Sequence, residues 1–285
     1  MQPSELIGII GAGVVGGSLR AYLHERGGFD VRVYDPPKGH SDMGPVNEAP
    51  TIFLCVPTPY SQGRGFDDRQ LLDAVARIEG SKTVVIKSTV LPGTTALLQS
   101  RYPLHRFIFN PEFLREASAF RDFVEPDRQI VGVTVESASE GPRVLAMMPR
   151  APFELICPAS EAEMAKYVAN SFLAVKVSYA NEIFDLCQRL RIDYAQVRDI
   201  VAADARIGAS HMDVHDAGYR GYSGKCLPKD SKSLIDLARS AGVEMEVLRA
   251  ADRVNALLHP AAGGIIAAPL RRVAQADDVD TERAA

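Results

Sequence analysis

The sequence has no excess of basic residues. Its 285 residues contain 32 Lys and Arg against 36 Asp and Glu, which gives a net charge of -4 at pH 7 and a pI of about 5.9. A protein that neutralises the phosphates of a nucleic acid needs a basic face, so we expect no nucleic-acid partner. The composition, 46% hydrophobic and 24% charged, is that of a globular protein able to bury a sizeable core.

Cysteine is scarce and long apolar runs are absent. The four cysteines, Cys55, Cys157, Cys187 and Cys226, are neither closely paired nor spaced as metal ligands, so we expect no metal site. The N-terminus lacks the basic and apolar segments of a signal peptide, and no apolar run is long enough to span a bilayer. We therefore expect a reduced, cytoplasmic protein without a membrane partner.

What the first half does contain is a regular alternation of strand-like and helix-like segments. Short apolar runs predict strands at residues 6–10, 31–34, 51–56, 83–86, 107–109 and 130–133. Helical spacing of apolar residues separates several of them, as at Leu71, Leu72, Val75 and Ile78. This alternation predicts an α/β fold with a parallel sheet covered on both faces. We assign residues 1–157 to a Rossmann-like, doubly wound domain.

The second half has helical patterns alone. A long helix is expected from about residue 160 to 190, a second after Asp193 as N-cap, a third between Pro228 and Gly242, and a fourth from about 244 to 258. We assign residues 158–260 to an all-helical central domain and residues 261–285 to a C-terminal tail, a short helix at best, with disorder expected toward its end. The apolar pattern of the long helix is wide for one domain to bury, which makes it the expected homodimer surface.

A glycine-rich turn follows the first strand and opens the first helix. Gly11, Gly13 and Gly16 give the spacing that lets a backbone approach a pyrophosphate at a helix N-terminus. Asp35 ends the second strand about 20 residues on, where a carboxylate suits a ribose diol and repels a 2′-phosphate. The pattern favours NAD over NADP, although Lys38 lies nearby. A glycine-rich turn in another kind of α/β protein is the alternative.

Two groups of polar residues in the helical half have catalytic character. Lys166 and Asn170 lie four apart, so they share a helix face and offer an ammonium and an amide to one oxygen. Cys226 precedes a helix start and has Lys225 and Lys229 as neighbours, a setting expected to lower the pKa of a thiol. The alternatives are a solvated Lys and Asn on an exposed face and a small buried cysteine.

Two carboxylates complete the candidate catalytic set. Glu112 follows a strand end, where α/β sheets place ligands, and suits a general base on a hydrolytic water. Asp230 lies in the first turn of the helix after Cys226, where it is expected to order water or to orient Lys166. Simple matching of the helix dipole is the alternative for Asp230.

Several segments together resemble the UDP-glucose/GDP-mannose dehydrogenase family. They are residues 87–90 (KSTV), 110–116 (NPEFLRE), Lys166 with Asn170, and 221–230 (GYSGKCLPKD), with 56–59 (VPTP), 126–128 (PDR) and 206–208 (RIG) also in place. The resemblance spans about residues 5–258, and the NPEFLRE and CLPKD segments are the specific ones. It implies NAD as cofactor and a dimer in which Arg206 reaches the neighbouring subunit's substrate.

The resemblance also implies site roles. Thr89 is expected near the cofactor and the catalytic water, and Glu116 near the nicotinamide. From the glycine-rich turn and the resemblance together, the expected cofactor contacts are Gly11, Gly13, Val14, Val15, Gly16, Asp35, Val56, Pro57, Thr58, Ser88, Thr89, Glu116 and Lys229. The expected substrate contacts are Phe113, Leu114, Arg115, Lys166, Asn170, Arg206, Gly221, Tyr222 and Lys225. The expected catalytic residues are Cys226, Lys166, Asn170, Glu112, Asp230 and Thr89.

The implied reaction is a four-electron oxidation of a primary alcohol to an acid, as in UDP-glucose 6-dehydrogenase. Cys226 would hold the aldehyde as a thiohemiacetal and then a thioester, which water cleaves. The alternatives are a two-electron β-hydroxyacid-type dehydrogenase, which shares the domain plan and the Lys/Asn pair, and a non-catalytic NAD-binding relative.

The sequence departs from the family pattern near the cysteine and in length. Ser223 stands where the family usually has glycine, and Lys225 where it often has a small or aromatic residue. Only some 25 residues follow Pro260, fewer than the second α/β domain of the family needs. Together with Arg220, His211 and His215, Lys225 is expected to form an anion pocket for an anionic alcohol smaller than a nucleotide sugar; a solvated charged loop is the alternative.

Overall fold

A computed structural model describes residues 5–25, 28–61, 63–215 and 219–258. The proposed tail of residues 261–285 lies outside these described residues. The strands and helices follow in this order: β1 (Leu6–Ile10), α1 (Val14–Glu25), β2 (Asp30–Tyr34), α2 (Gly44–Asn47), β3 (Thr51–Leu54), β4 (Tyr60–Ser61), β5 (Gly65–Phe66), α3 (Arg69–Val75), β6 (Thr83–Ile86), α4 (Thr94–Arg101), β7 (Arg106–Phe109), α5 (Ala119–Val124), β8 (Arg128–Val133), α6 (Gly141–Met147), β9 (Phe153–Pro158), α7 (Ala159–Leu190), α8 (Tyr194–Ala202), α9 (Leu227–Ser240) and α10 (Glu246–Leu258).

Seven of the strands form one sheet in the order β2-β1-β3-β6-β7-β8-β9. The first five are mutually parallel, which confirms the predicted doubly wound plan. One strand departs from the predicted parallel sheet: β8 runs antiparallel to β7 and pairs Phe109 with Gly132. The chain between them stays at the carboxyl edge, where α5 packs on α1, so β8 starts from the edge at which β7 ends.

The last strand, β9, was missed in the sequence. It pairs in parallel with β8 at the sheet edge, and Phe153, Leu155 and Ile156 are all exposed. An edge strand with few buried side chains lacks the period-two alternation by which a half-buried strand is recognised. The sheet ends at Pro158 and α7 begins at the next residue.

The core lies on both faces of the sheet. In β3, Ile52 and Leu54 point into one layer and Phe53 into the other, and all three are fully buried. Helices α2, α3, α4 and α7 cover the first face, and α1, α5 and α6 cover the second. Burial on both faces explains why the central strands are continuous apolar runs.

The helical half begins with α7, whose 32 residues confirm the predicted long helix. The side chain of Asp193 accepts a hydrogen bond from the Ala195 amide at 2.9 Å, as expected of the N-cap of α8. Helix α9 has Pro228 in its first turn and is followed by Gly242 at φ 74°, which confirms its predicted limits. Helices α9 and α10 both pack on α7.

Hydrogen bonds of two side chains are among the contacts that join the helical half to the sheet domain. The buried carboxylate of Glu163 on α7 accepts hydrogen bonds from the amides of Gly93 and Thr95 at 2.6 and 2.8 Å, at the start of α4. The hydroxyl of Tyr60 in the β4–β5 hairpin donates to Asp236 on α9 at 2.7 Å. Within the described ranges, no helix has both the length and the apolar composition needed to cross a bilayer.

Candidate active site

A cleft of about 550 Å³ lies between the carboxyl ends of four parallel strands and the start of α9. The loops after β1, β3, β6 and β7 form one wall, and residues 224–232 form the other. Ligands of open α/β sheets bind at this edge. Among the residues assigned to the site from sequence, the cleft is lined by Gly13, Val14, Val15, Val56, Pro57, Thr58, Ser88, Thr89, Glu112, Leu114, Glu116, Lys225, Cys226 and Lys229.

The glycine-rich turn has the close packing that a dinucleotide site requires. Gly11 has φ +90°, and a Cβ at Gly16 would lie 1.9 Å from the Gly11 carbonyl oxygen. A Cβ at Gly13 would meet no atom within 4 Å, so the backbone there is open to a ligand. The turn therefore brings Gly13 and the first residues of α1, Val14 and Val15, to the cleft wall, where pyrophosphate binding needs a helix N-terminus.

Asp35 is held against this turn. Its Oδ2 accepts a hydrogen bond from the Ala12 amide at 2.7 Å, and the ammonium of Lys38 donates to the Ala12 carbonyl. The carboxylate thus stands at the end of β2 beside the glycine-rich turn, where a ribose diol is bound in Rossmann folds. The position agrees with the expected cofactor role of Asp35.

The loops after β3 and β6 are tied together beneath the cleft. The Ser88 hydroxyl donates to the Val56 carbonyl at 2.7 Å, and the Thr58 hydroxyl donates to the Thr89 carbonyl at 2.7 Å. These bonds fix the wall between the glycine-rich turn and Glu112.

Glu112 and Lys166 form a buried pair. The Lys166 ammonium lies 3.1 Å from Glu112 Oε1 and donates to the Glu112 backbone carbonyl at 2.6 Å. The Leu114 amide donates to Glu112 Oε2 at 2.8 Å. Burial alone would raise the pKa of Glu112, but the Lys166 charge and these bonds more than offset it and the pKa is lowered. Glu112 is therefore an ionised carboxylate on the cleft wall.

Asn170 and Asp230 form a second buried pair. The Asn170 amide donates to Asp230 Oδ2 at 2.6 Å, and Lys229 donates to Asp230 Oδ1. Asp230 thus holds Asn170 and Lys229, whereas the carboxylate that orients Lys166 is Glu112. Lys166 and Asn170 are buried and do not line the cleft. Among the described residues, each keeps one N–H that no hydrogen bond occupies.

Cys226 is the N-cap residue of α9, and it is solvent-exposed on the cleft wall. The expectation of a lowered thiol pKa was wrong. Desolvation by the surrounding protein raises the pKa of the Cys226 thiol. The Glu112 carboxylate raises it further, whereas the Lys166 ammonium lowers it. The sequence neighbours of the cysteine did not reveal the carboxylate that β7 brings to it.

Some expected substrate contacts do not line the cleft. Arg115 is ion-paired with Asp122, and the side chain of Arg206 is 88% exposed and paired with Asp204. The Phe113 ring lies under the Arg128 guanidinium at 3.7 Å. Two further expected contacts, Gly221 and Tyr222, pack against Asn255 of α10.

The expected anion pocket does not form. Arg220 donates to Asn181 and Asp185 on α7 and stacks over the Phe184 ring, and the His215 ring packs on the same phenylalanine. His211 pairs with its neighbour Ser210. Of the four residues expected there, Lys225 lines the cleft, whereas Arg220 and His215 contact the C-terminal half of α7.

Sequence reasoning missed several residues of the cleft wall. Cys55, Pro59, Tyr60, Lys87, Gly224, Pro228 and Lys232 all line it. Lys87 directly follows β6, and this position at a strand end was the available signal. Within the described part of the chain, no group of three or more His, Cys, Asp or Glu could hold a metal ion.

Comparison with known families gives two matches to one family. Residues 38–147 match the model of the UDP-glucose/GDP-mannose dehydrogenase family, NAD binding domain, and residues 160–257 match that family's central domain. The two matched ranges together cover most of the chain and meet close to the junction of β9 and α7.

Two similar proteins are UDP-glucose 6-dehydrogenases. The chain is 35% identical over 223 residues to TuaD of Bacillus subtilis, which covers 74% of this chain and 47% of that protein. It is 34% identical over 260 residues to AglM of Haloferax volcanii, which covers 83% of this chain and 60% of that protein. The chain therefore spans about half the length of the relatives it matches.

Solved structures agree with this. A UDP-glucose dehydrogenase from Pyrobaculum islandicum superposes with a TM-score of 0.76 at 29% identity, covering 88% of this chain and 68% of that one. The 3-hydroxyisobutyrate dehydrogenase of Mycobacterium tuberculosis superposes with a TM-score of 0.69 at 18% identity, covering 89% of this chain and 93% of that one, which shows the fold alone.

Proposed function

Since the chain belongs to the UDP-glucose/GDP-mannose dehydrogenase family, we propose that it oxidises a primary alcohol to a carboxylic acid with two molecules of NAD. The observation that carries this proposal is the cleft itself. One continuous wall runs from Gly13 and Val14 of the glycine-rich turn to Glu112, with Cys226 facing it. A nucleophile and a nucleotide turn that share one cleft are what a covalent dehydrogenase needs.

The residues present fit a dinucleotide. A cradle for a pyrophosphate and a ribose is formed by three features of this region. Gly16 leaves space for the Gly11 carbonyl, the backbone at Gly13 is open, and Asp35 lies beside the turn. When bound, NAD would accept a hydride from the substrate carbon. Glu116, Thr89 and Lys229 line the cleft where they would contact the nicotinamide half.

In the first oxidation, the alcohol loses a proton to solvent water and a hydride that NAD would accept, which gives an aldehyde. Lys166 and Asn170 each have one further N–H to donate to the alcohol oxygen, and Glu112 and Asp230 fix their orientation. Substrate entry needs this pair to become accessible from the cleft. The Cys226 sulfur then adds to the aldehyde carbon, its proton leaves, and the aldehyde oxygen takes a proton to give a thiohemiacetal.

In the second oxidation, the thiohemiacetal loses a proton and a hydride to give a thioester. Water adds to the thioester carbonyl, and the Cys226 thiol is the leaving group, which releases the acid. Glu112 is ionised and borders the cleft, so it serves as the acceptor for a proton of that water. Two hydrides leave per substrate, so two NADH form per acid.

The proposed substrate is an anionic primary alcohol. The relatives named above are UDP-glucose 6-dehydrogenases, and a nucleotide sugar carries its anionic groups on a diphosphate. Lys225 is exposed on the cleft wall next to Cys226, so a smaller alcohol with a phosphate or carboxylate near the reacting carbon also fits. Turnover of UDP-glucose, compared with small phosphorylated alcohols, decides between these two substrates.

We further propose a homodimer formed through α7. An apolar stripe at helical spacing is exposed along this helix, at Met164, Val168, Phe172, Tyr179, Leu186 and Leu190. An exposed stripe of this length is typical of an interface. In such a dimer, the exposed Arg206 would have to exchange its pairing with Asp204 for a contact in the partner's cleft. Phe172→Glu should give monomers in light scattering, and Val135→Glu, at a position 93% exposed outside α7, should not.

The test of the function is product stoichiometry. Purified protein is supplied with NAD and each candidate alcohol, and NADH and acid are counted. Two NADH per acid support the proposal, one NADH per aldehyde or ketone product supports a two-electron dehydrogenase, and NAD binding without turnover supports a non-catalytic relative. The Cys226→Ser variant should form no acid; acid production at the wild-type rate would mean that the covalent route is wrong.

A further inference from the structure

A second lysine ammonium is buried close to Glu112, and the reaction outlined above assigns it no role. Lys87 follows β6 and is 3% exposed. Its ammonium donates to Asn110 Oδ1 at 2.7 Å and to the Asn110 carbonyl at 3.3 Å. Asn110 is itself fixed, because its amide donates to the Ile130 carbonyl at 2.7 Å. The centre of the Phe123 ring lies 5.5 Å from the ammonium.

The charges around Lys87 are unbalanced. The titratable groups that face it are the Cys55 thiol after β3, Glu112 after β7 and Lys166 on α7. Burial raises the pKa of Cys55 to about 12, so this thiol carries no charge near neutral pH. The charged groups near the Glu112 carboxylate are then the Lys166 ammonium, which pairs with it at 3.1 Å, and the Lys87 ammonium, which is held by Asn110 and lines the same cleft. Burial lowers the pKa of Lys87 to about 8, so its charge is largely present at neutral pH.

This arrangement changes what Lys166 offers to the cleft. If Glu112 and Lys166 were alone, their charges would cancel, and a new anion in the cleft would meet a neutral pair. With the Lys87 ammonium buried nearby, the three groups Glu112, Lys166 and Lys87 together have a net positive charge. An anion that forms beside Lys166 is then attracted, and this attraction is strong where water is excluded.

We propose that Lys87 is a positioning residue that acts through Glu112: its charge offsets part of the charge of the Glu112 carboxylate, so that the charge of Lys166 remains available to anions at Cys226. The anions concerned are the Cys226 thiolate and the oxyanion that forms when it adds to an aldehyde. The proposal depends on the function proposed above only for the second of these. Asn110 matters because it keeps the Lys87 ammonium beside the segment that carries Glu112.

The experiment measures the ionisation of Cys226 without requiring turnover. Full-length Lys87→Met, Lys87→Gln and Lys82→Met proteins are alkylated with iodoacetamide between pH 6 and 10, and the Cys226 peptide is quantified by mass spectrometry. Lys82 is the control, because it flanks the opposite end of β6 and donates to the Asn47 carbonyl instead. Lys87→Gln keeps a donor for Asn110, so it retains the local structure if the methionine variant does not fold.

Removal of the Lys87 charge should shift the alkylation midpoint of Cys226 upward by about one pH unit, which makes alkylation about tenfold slower at neutral pH. Lys82→Met should match the wild type. In turnover assays the Lys87 variants should lose kcat with little change in KM for NAD. Profiles of the Lys87 variants that superimpose on the wild-type profile would overturn the proposal. A shifted profile in a protein without dehydrogenase activity would sustain it while refuting the proposed function.

Discussion

The contact between Glu163 and the start of α4 gives the most quantitative prediction. The Glu163 side chain is fully buried on α7. It accepts three hydrogen bonds, from the Gly93 amide at 2.6 Å, the Thr95 amide at 2.8 Å and the Thr95 hydroxyl at 2.6 Å. The carboxylate therefore caps a helix of the sheet domain from a helix that also carries Lys166, one turn further on.

The expected change in the free energy of unfolding follows from the hydrogen-bonding groups that each substitution leaves unpaired. Glu163→Ala removes the acceptor of the buried Thr95 amide and hydroxyl, and also that of the more exposed Gly93 amide. Each buried group left unpaired costs about 1–3 kcal/mol. Part of this cost is offset, since the variant no longer buries a carboxylate. We expect a loss of about 3 kcal/mol in the free energy of unfolding, which corresponds to roughly 6–9 °C in Tm. Glu163→Gln keeps one acceptor oxygen and should lose about 2 kcal/mol.

The pH dependence has a defined sign. Burial raises the pKa of Glu163 above its ordinary value of 4.5, despite the bonds to Thr95 and Gly93 that lower it. A carboxyl group whose pKa is higher in the folded state gives its full stability below the unfolded pKa and loses it as the pH rises through the folded pKa. Glutamine does not titrate. The stability difference between wild type and Glu163→Gln should therefore be larger at pH 5 than at pH 8.

Urea unfolding followed by circular dichroism at both pH values measures these differences. Glu161→Ala is the matched control, because Glu161 lies two residues before Glu163 on α7 but is exposed. This variant should change the free energy of unfolding by less than about 1 kcal/mol. If Glu163→Ala were no less stable than Glu161→Ala, the contact with α4 would not hold the two halves together.

Three further predictions concern single contacts. Gly16→Ala should abolish NAD binding in a fluorescence titration, because its Cβ would lie 1.9 Å from a backbone oxygen, whereas Gly17→Ala, with 3.7 Å to the nearest atom, should bind NAD normally. Asp193→Ala should lower the free energy of unfolding in urea by about 1 kcal/mol through loss of the α8 cap. Tyr60→Phe removes the bond to Asp236 and should lower the free energy of unfolding by about 1 kcal/mol in the same assay. Normal binding by the first variant, or full stability of the others, would contradict the structural assignment.

The sequence patterns that predicted the fold correctly are those that arise within a single strand or helix. The central strands are buried on both faces, so they are continuous apolar runs, and α7 shows its helical period over eight turns. The direction of β8 has no local cause. It depends on α5 packing against α1 at the carboxyl edge, a contact between segments about 100 residues apart.

The candidate site shows the same division. Glu112 was predicted at the site because it follows a strand end, and the structure brings the ends of β1, β3, β6 and β7 together in one cleft. The contacts of Arg220 and His215 depend on how a loop folds. No rule based on sequence spacing predicts that both side chains pack against the Phe184 ring. Lys87 was not predicted as a site residue, because the burial of a lysine at a strand end depends on the folded chain, in which Asn110 and Phe123 lie around it.

The Cys226 thiol shows how far a local rule extends. A helix N-terminus and neighbouring lysines favour a thiolate, yet the pKa of Cys226 is raised, because desolvation and the Glu112 carboxylate act on the same sulfur. Both effects depend on residues that are distant in sequence, so residues 221–230 alone do not predict which influence on the pKa is the larger. The reactivity of Cys226 therefore depends on the combined charge of the groups around its sulfur. Glu112 opposes the thiolate and Lys166 favours it, and any group that changes the balance between these two also changes the nucleophile.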